Sequence, residues 1–203
     1  LCLVPSQLIE FIQESQPKTF KKLESQYGSE TINKLLKRIS TEIENRGVID
    51  VLRNGVKDRG CEFNLVYFEP KSGLNPEHEK LYKLNRLSVI RQLKYSTKNE
   101  NSLDMGIFVN GIPIITMELK NTLTGQNHLN GEKQYKYDRD PKEPLFKFKR
   151  CLVHFSVGNE KVSMTTKLSG GRTRFLPFNK GIENPVNPKG HKSSYLWESD
   201  RKS

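Results

Sequence analysis

The sequence predicts an α/β domain, a mixed central sheet flanked by helices. Three observations carry that prediction. Residues 29–46 repeat apolar side chains at helical spacing, with Ile32, Leu35, Leu36, Ile39 and Ile43 on one stripe. Residues 101–121 hold two apolar strand-like runs joined by Asn110-Gly111, a dipeptide that tolerates positive φ at both centres of a tight hairpin. Two further runs, 152–157 and 161–167, are separated by Gly158-Asn159 and read as strands. With 203 residues the chain can bury about two-thirds of its unfolded surface, so one domain spanning 1–203 is the natural count.

Taken in order, 6–15 forms a short helix with Leu8, Ile9, Phe11 and Ile12 inward, ended by Pro17. Ser29 caps the helix to 46 and Gly47 ends it. Val48–Leu52 and Phe63–Phe68 read as strands around an Asn54-Gly55 turn, leaving Asp50 and Glu62 as surface or turn residues. Residues 69–80 are a polar connection. Residues 81–96 fit a helix passing into a strand, with Arg86, Arg91 and Lys94 interleaved with Tyr82 and Tyr95 as a phosphate-facing patch. Residues 129–139 form a helix closed by Pro141 and Pro144, and Leu145–Val157 alternates before entering a buried strand. His154 reads as a packed sheet histidine. Residues 169–203, rich in Gly, Pro and Asn, form an extended wrapping tail anchored at Arg174–Leu176 and Tyr195–Trp197.

Composition narrows the function. Hydrophobic residues make up 34% and charged residues 28%, and no apolar run is long enough to span a bilayer, so no membrane role is expected. Cys2, Cys61 and Cys151 are odd in number with no CxxC pair, as expected of reduced thiols in a cytoplasmic protein rather than a zinc knuckle. The net charge of +11 is concentrated in 142–203, where thirteen Lys/Arg face five Asp/Glu. Such a field favours polyanions.

The chemistry concentrates at the hairpin's open end. Asp104 starts one run, while Glu118 and Lys120 end the other on one strand face. Two carboxylates and an ammonium are costly to bury unless paired or metal-bound. Asp104, Glu118 and the Leu119 backbone carbonyl would supply oxygen ligands to Mg²⁺ or Mn²⁺. Lys120 would position or deprotonate an attacking water. A divalent-metal nuclease, a non-catalytic nucleic-acid-binding module and a structural ion-pair cluster all remain open on these residues alone.

The run SLDMGIFVNGIPIITMELKN resembles the nuclease core of the restriction (motor) subunit of type I restriction–modification enzymes. Asp104…Glu118-x-Lys120 matches the PD-(D/E)xK signature, and the similarity continues through 85–96, 132–146, 152–157, 164–168, 173–181 and 194–198. The resemblance implies a restriction-endonuclease-like fold, forming the amino-terminal part of a larger translocase subunit, and Mg²⁺-dependent endonucleolytic cleavage of double-stranded DNA. It implies methyltransferase and specificity subunits as partners. ATP would serve the full-length protein only, since no GxxxxGK[ST] loop is present. The alternative is a non-catalytic DNA-binding or assembly module of that complex. The signature's leading Pro is absent before Asp104. Related nucleases carry a Gln-xxx-Tyr element; Gln134 carries over as a near-site catalytic residue, but Asp138 occupies the tyrosine's place. Glu30 and Glu42 are candidates for the family's upstream acid.

Overall fold

The structure is a computed structural model that describes residues 2–180 together with Pro185 and Pro188. The chain groups into two compact units, one comprising Leu1–Ile90, Ile107–Ile114 and Phe148–Leu152, the other Arg91–Gly106, Ile115–Lys147 and Val153–Ser203.

The first unit opens with α1 (Pro5–Ser15) and α2 (Pro17–Tyr27). Leu8, Ile9, Phe11 and Ile12 are buried as their spacing predicts, but Pro17 begins a second helix rather than only ending the first. A proline at the first helical position loses no intrahelical bond, since that N–H has no partner there. The long helix, α3 (Thr31–Arg46), follows a 3₁₀ turn at Gly28–Glu30. Ser29 therefore lies within that turn and makes no side-chain cap; the Thr31 hydroxyl donates to the Gly28 carbonyl at 2.7 Å instead. Leu35, Leu36, Ile39 and Ile43 are buried, whereas Ile32 is 43% exposed and leaves the predicted stripe.

The expected strand at 48–52 is a helix, α4 (Val48–Asn54). Its burial follows the helical period: Val48 and Val51 are interior while Ile49 is 52% exposed. Arg46 pairs with both Glu42 and Asp50, one turn on either side. Gly55 caps this helix rather than turning a hairpin. The short antiparallel pair is β1 (Val56–Asp58) and β2 (Cys61–Phe63), turning at Arg59-Gly60, so the second strand ends earlier than predicted. The polar connection gives way to α5 (Pro76–Lys83), capped by the Asn75 side chain.

A six-stranded sheet has the order β3-β4-β5-β6-β7-β8. Its strands are β3 (Leu87–Lys94), β4 (Ser102–Val109), β5 (Ile112–Leu119), β6 (Val153–Val157), β7 (Val162–Thr165) and β8 (Leu176–Pro177). Strand β5 runs parallel to β6, while β6–β7 and β7–β8 are antiparallel, so the sheet is mixed as expected. The helix-into-strand reading of 81–96 holds in its second half, the helix lying earlier, in α5.

The hairpin of β4 and β5 turns at Asn110-Gly111, with φ of +49° and +77°. Its tip is buried in the first unit. Asn110 is fully buried, donating to the Leu65 carbonyl at 2.9 Å and to Asn85 Oδ1 at 3.0 Å, and accepting from the Arg86 N–H at 2.7 Å. A Cβ on Gly111 would lie 2.4 Å from the Val4 carbonyl oxygen, so glycine is required there for space as well as for φ.

In the second unit, the connection from β5 to its parallel neighbour β6 contains a 3₁₀ turn at Thr122–Thr124 and α6 (His128–Lys133). It continues as a π-helical segment, Gln134–Asp138, in place of the single predicted helix. A 3₁₀ turn at Pro144–Phe146 buries the adjacent Leu145 and Phe146, so the predicted alternation begins only in β6. Strand β8 secures the predicted Arg174–Leu176 anchor through backbone pairing, with Leu176 itself 48% exposed. Tyr195–Trp197 and most of the predicted wrapping tail lie outside the described residues.

Candidate active site

The three residues singled out at the hairpin's open end converge within the second unit. Lys120 Nζ lies 3.6 Å from Asp104 Oδ2 and 3.7 Å from Glu118 Oε2. The Leu119 N–H donates to Asp104 Oδ2 at 2.7 Å, tying the Asp104 carboxylate to the end of β5. Glu118 is almost completely buried, its side chain 1% exposed, while that of Asp104 is 28% exposed.

Burial next to a single ammonium would leave Glu118 poorly compensated, and the structure supplies a second cation. Arg139 donates to Glu118 Oε1 through Nε at 2.9 Å and Nη2 at 2.7 Å. The same Nη2 donates to the Ser102 carbonyl at 2.9 Å, and the guanidinium lies 5.6 Å from the centre of the Tyr95 ring. The cluster thus holds two carboxylates and two cations. Desolvation pushes the Glu118 carboxyl up to about 7; Arg139 and Lys120 oppose this, and Asp104 adds to it. Burial lowers the Arg139 pKa, but its pairing with Glu118 outweighs that and leaves it raised.

Helix α6 reaches this cluster because Gly131 has no side chain. A Cβ there would lie 2.2 Å from Ser156 Oγ and 3.2 Å from the Glu118 Cβ. Ser156 is the register partner of Glu118 on β6, and its hydroxyl donates to the His128 carbonyl. The π-helical segment then begins at Gln134, three residues past Gly131. Gln134 Oε1 is buried without a hydrogen-bond partner among the described residues. Such widened turns recur at functional sites. Its second residue, Tyr135, is fully buried, and its hydroxyl meets Thr116 Oγ1 at 2.8 Å. Thr116 Oγ1 in turn lies 2.7 Å from His154 Nδ1. His154 is the packed histidine expected from the sequence, and desolvation lowers its pKa to about 4.

Sequence reasoning missed Arg139, which had served only as the end of a predicted helix. Its partner is 21 residues away, and only the return of α6 over the sheet brings the two together. The signal available was a single arginine between Asp138 and Asp140, just past a helix that follows the Glu-x-Lys strand.

The donor set fits a small hard cation. Each carboxylate has one oxygen held by N–H groups, Asp104 Oδ2 by Leu119 and Glu118 Oε1 by Arg139. Asp104 Oδ1 and Glu118 Oε2 accept no hydrogen bond among the described residues, and oxygen ligands of this kind suit Mg²⁺ or Mn²⁺. No group of three or more His, Cys, Asp or Glu side chains that could hold a metal occurs among the described residues.

The three residues of the expected basic patch have different partners. Arg86 belongs to the first unit and is engaged by Glu10 and, at 2.6 Å, by Glu14. Arg91 and Lys94 belong to the second unit and are exposed on β3, where Gln92 at φ +48° shifts the burial alternation by one residue. Lys94 pairs with Glu100, and Tyr95 turns inward onto Phe146 at 4.7 Å. Glu30 is exposed and Glu42 pairs with Arg38 and Arg46, both acids lying in the first unit.

A mixed sheet flanked by helices, with an Asp–Glu–Lys cluster at the end of its hairpin, defines a restriction-endonuclease-like α/β fold. Residues 7–173 match the family described as type I restriction enzyme R protein N terminus. The chain belongs to that family, the amino-terminal domain of the R, or motor, subunits. Comparison with curated proteins and with solved structures finds no match. No helix among the described residues is long and apolar enough to cross a membrane.

Proposed function

We propose that the chain is the DNA-cleaving part of a type I restriction enzyme and hydrolyses phosphodiester bonds with Mg²⁺ or Mn²⁺. The observation that carries this reading is the approach of Lys120 to both Asp104 and Glu118, with one oxygen of each carboxylate, Asp104 Oδ1 and Glu118 Oε2, accepting no hydrogen bond among the described residues. Asp104 and Glu118 would hold the cation, with the Leu119 carbonyl as a further ligand. When bound, the cation lowers the pKa of a water and neutralises charge on the phosphate. Lys120, as the ammonium, would orient that water and balance the charge that develops on the non-bridging oxygens; were it to act as the base it would first have to give up its own proton. The water oxygen would form a bond to phosphorus, losing its proton to solvent, as the bond to the leaving sugar oxygen breaks and that oxygen takes a proton from solvent. Gln134, with its unpartnered carbonyl oxygen, positions water or substrate nearby. Arg91 and Lys94 contribute phosphate contacts to double-stranded DNA.

On this reading the protein works in the cytoplasm beside methyltransferase and specificity subunits, and ATP is used elsewhere in the assembled enzyme. The cluster's balance of two acids and two cations favours one other reading, a DNA-binding or assembly module in which the same residues form only an ion-pair network. Cleavage of unmodified target DNA by the assembled enzyme with ATP and Mg²⁺ separates the two. Asp104→Ala, Glu118→Ala and Lys120→Ala should each reduce double-strand breaks at least about 10²-fold while DNA binding and ATP-driven movement persist. Cleavage at the normal rate by all three variants would leave the ion-pair reading in place.

A further inference from the structure

Each carboxylate of the cluster has one oxygen held by N–H donors, Asp104 by one backbone group and Glu118 by two of a guanidinium. Asp104 Oδ2 accepts the Leu119 N–H at 2.7 Å, and Glu118 Oε1 accepts two N–H groups of Arg139 at 2.9 and 2.7 Å. Each therefore presents a single oxygen, Oδ1 or Oε2, without a hydrogen-bonded donor. A carboxylate with one oxygen occupied by a charge-assisted pair of N–H donors cannot turn both oxygens onto one cation without giving up those bonds. For Glu118 that rotation would also strip Arg139 of its partner inside a buried site. Neighbouring groups hold Arg139 itself in place: its Nη2 also donates to the Ser102 carbonyl, and its guanidinium faces the Tyr95 ring.

Cations differ in what they ask of a carboxylate. Ca²⁺ takes 6–8 oxygens at longer range and readily accepts both oxygens of one carboxylate; Mg²⁺ requires a compact octahedron built from single oxygens and water. We propose that Arg139 is a specificity-determining residue. By occupying Glu118 Oε1 it restricts Glu118 to one-oxygen ligation and so selects small octahedral cations over Ca²⁺. The inference rests on the metal-dependent reading above and concerns which cation the same site admits. Arg139 acts through Glu118 and is a positioning residue, and its effect is on the relative affinity for two ions.

The test is calorimetric titration of the purified protein with Mn²⁺ and with Ca²⁺. The binding of interest is the part lost in an Asp104→Asn/Glu118→Gln double variant. Wild-type protein should bind Mn²⁺ more tightly than Ca²⁺ at this site. In Arg139→Met, a side chain of similar reach with no donor, the ratio of Ca²⁺ to Mn²⁺ affinity should rise about tenfold, the scale on which partners of metal ligands act. Arg139→Lys keeps a charged donor and should restore much of the wild-type ratio. General loosening of the fold would weaken both ions together and leave the ratio unchanged. Tighter Ca²⁺ than Mn²⁺ binding by the wild type would overturn the proposal without requiring any Arg139 variant to fold. So would an unchanged ratio in folded Arg139→Met. If neither ion shows binding that depends on Asp104 and Glu118, the metal-dependent reading fails and this inference with it. Mn²⁺ binding there with no discrimination against Ca²⁺ would leave that reading standing and remove only the role of Arg139.

Discussion

Replacing Gly131 with Ala is the most direct probe of how α6 is seated on the sheet. On a solvent-exposed helix the change would help by about 1 kcal/mol, because alanine is the better helix former. Here the new methyl group would stand 2.2 Å from Ser156 Oγ and 3.2 Å from the Cβ atoms of both Ser156 and Glu118. The hydroxyl must rotate or the helix must lift. Rotation gives up the bond to the His128 carbonyl, about 1 kcal/mol, and overpacking costs about 1–3 kcal/mol more. The net expectation is a loss of about 1–3 kcal/mol, read as a fall of roughly 2–4 °C in Tm per kcal/mol for a chain of this size. A double-mutant cycle with Ser156→Ala identifies the cause. The hydroxyl is the atom in the way, so Gly131→Ala should cost at least about 0.5 kcal/mol less in the Ser156→Ala background than in the wild type. Urea melts of the four proteins provide the measurement. A Gly131→Ala protein as stable as the wild type, or costs that simply add, would show that the close approach of α6 is not needed.

Two further outcomes follow from the geometry. His154, held near 4 by burial, should remain neutral in the folded protein while the unfolded chain takes up a proton near 6.5. This group alone therefore lowers stability as pH drops from 6.5 towards 4, by up to about 1.4 kcal/mol per pH unit, against an opposite contribution from Glu118, whose carboxyl is pushed up to about 7. His154→Gln should make stability at pH 4.5 relative to pH 7 higher than in the wild type, and an unchanged slope would show that His154 makes no such contribution. For DNA binding, Arg91→Ala with Lys94→Ala should weaken duplex affinity regardless of sequence and reduce the salt slope by roughly one per lost contact, measured by fluorescence titration. Arg86→Ala should change that slope less, because Arg86 is held by two acids, Glu10 and Glu14, and its side chain is 33% exposed, whereas Lys94 meets one acid, Glu100, and is 68% exposed; an equal fall in slope would place Arg86 on the DNA.

The parts of the fold that the sequence made legible were those written in short-range chemistry. Asn110-Gly111 between two apolar runs specified the hairpin, and the hairpin brought Asp104 to Lys120. The burial of α3 followed its periodicity except at Ile32, which the stripe alone could not mark as outward-facing. Misreadings arose where local patterns were ambiguous. The residues Val48–Leu52 are rich in β-branched side chains, yet the burial of Val48 and Val51 and the Arg46–Asp50 pair belong to a helix. Arg139 was invisible for a different reason. Its role depends on how far a crossover segment travels before returning to the sheet, and no periodicity in the sequence records that distance.

The five-residue π turn at Gln134–Asp138 also bears on how this site tolerates change over evolutionary time. A turn of this kind is what a regular helix becomes after gaining one residue, and losing one residue would let the ordinary hydrogen-bond ladder close again. Backbone energetics alone would therefore favour such a deletion. Every side chain after it would swing by about 100°, the angle that one helical residue subtends. Arg139 would then no longer face Glu118, and a buried carboxylate would lose its principal counter-charge. On these grounds removing one residue from this segment should cost more than replacing the exposed Asp138.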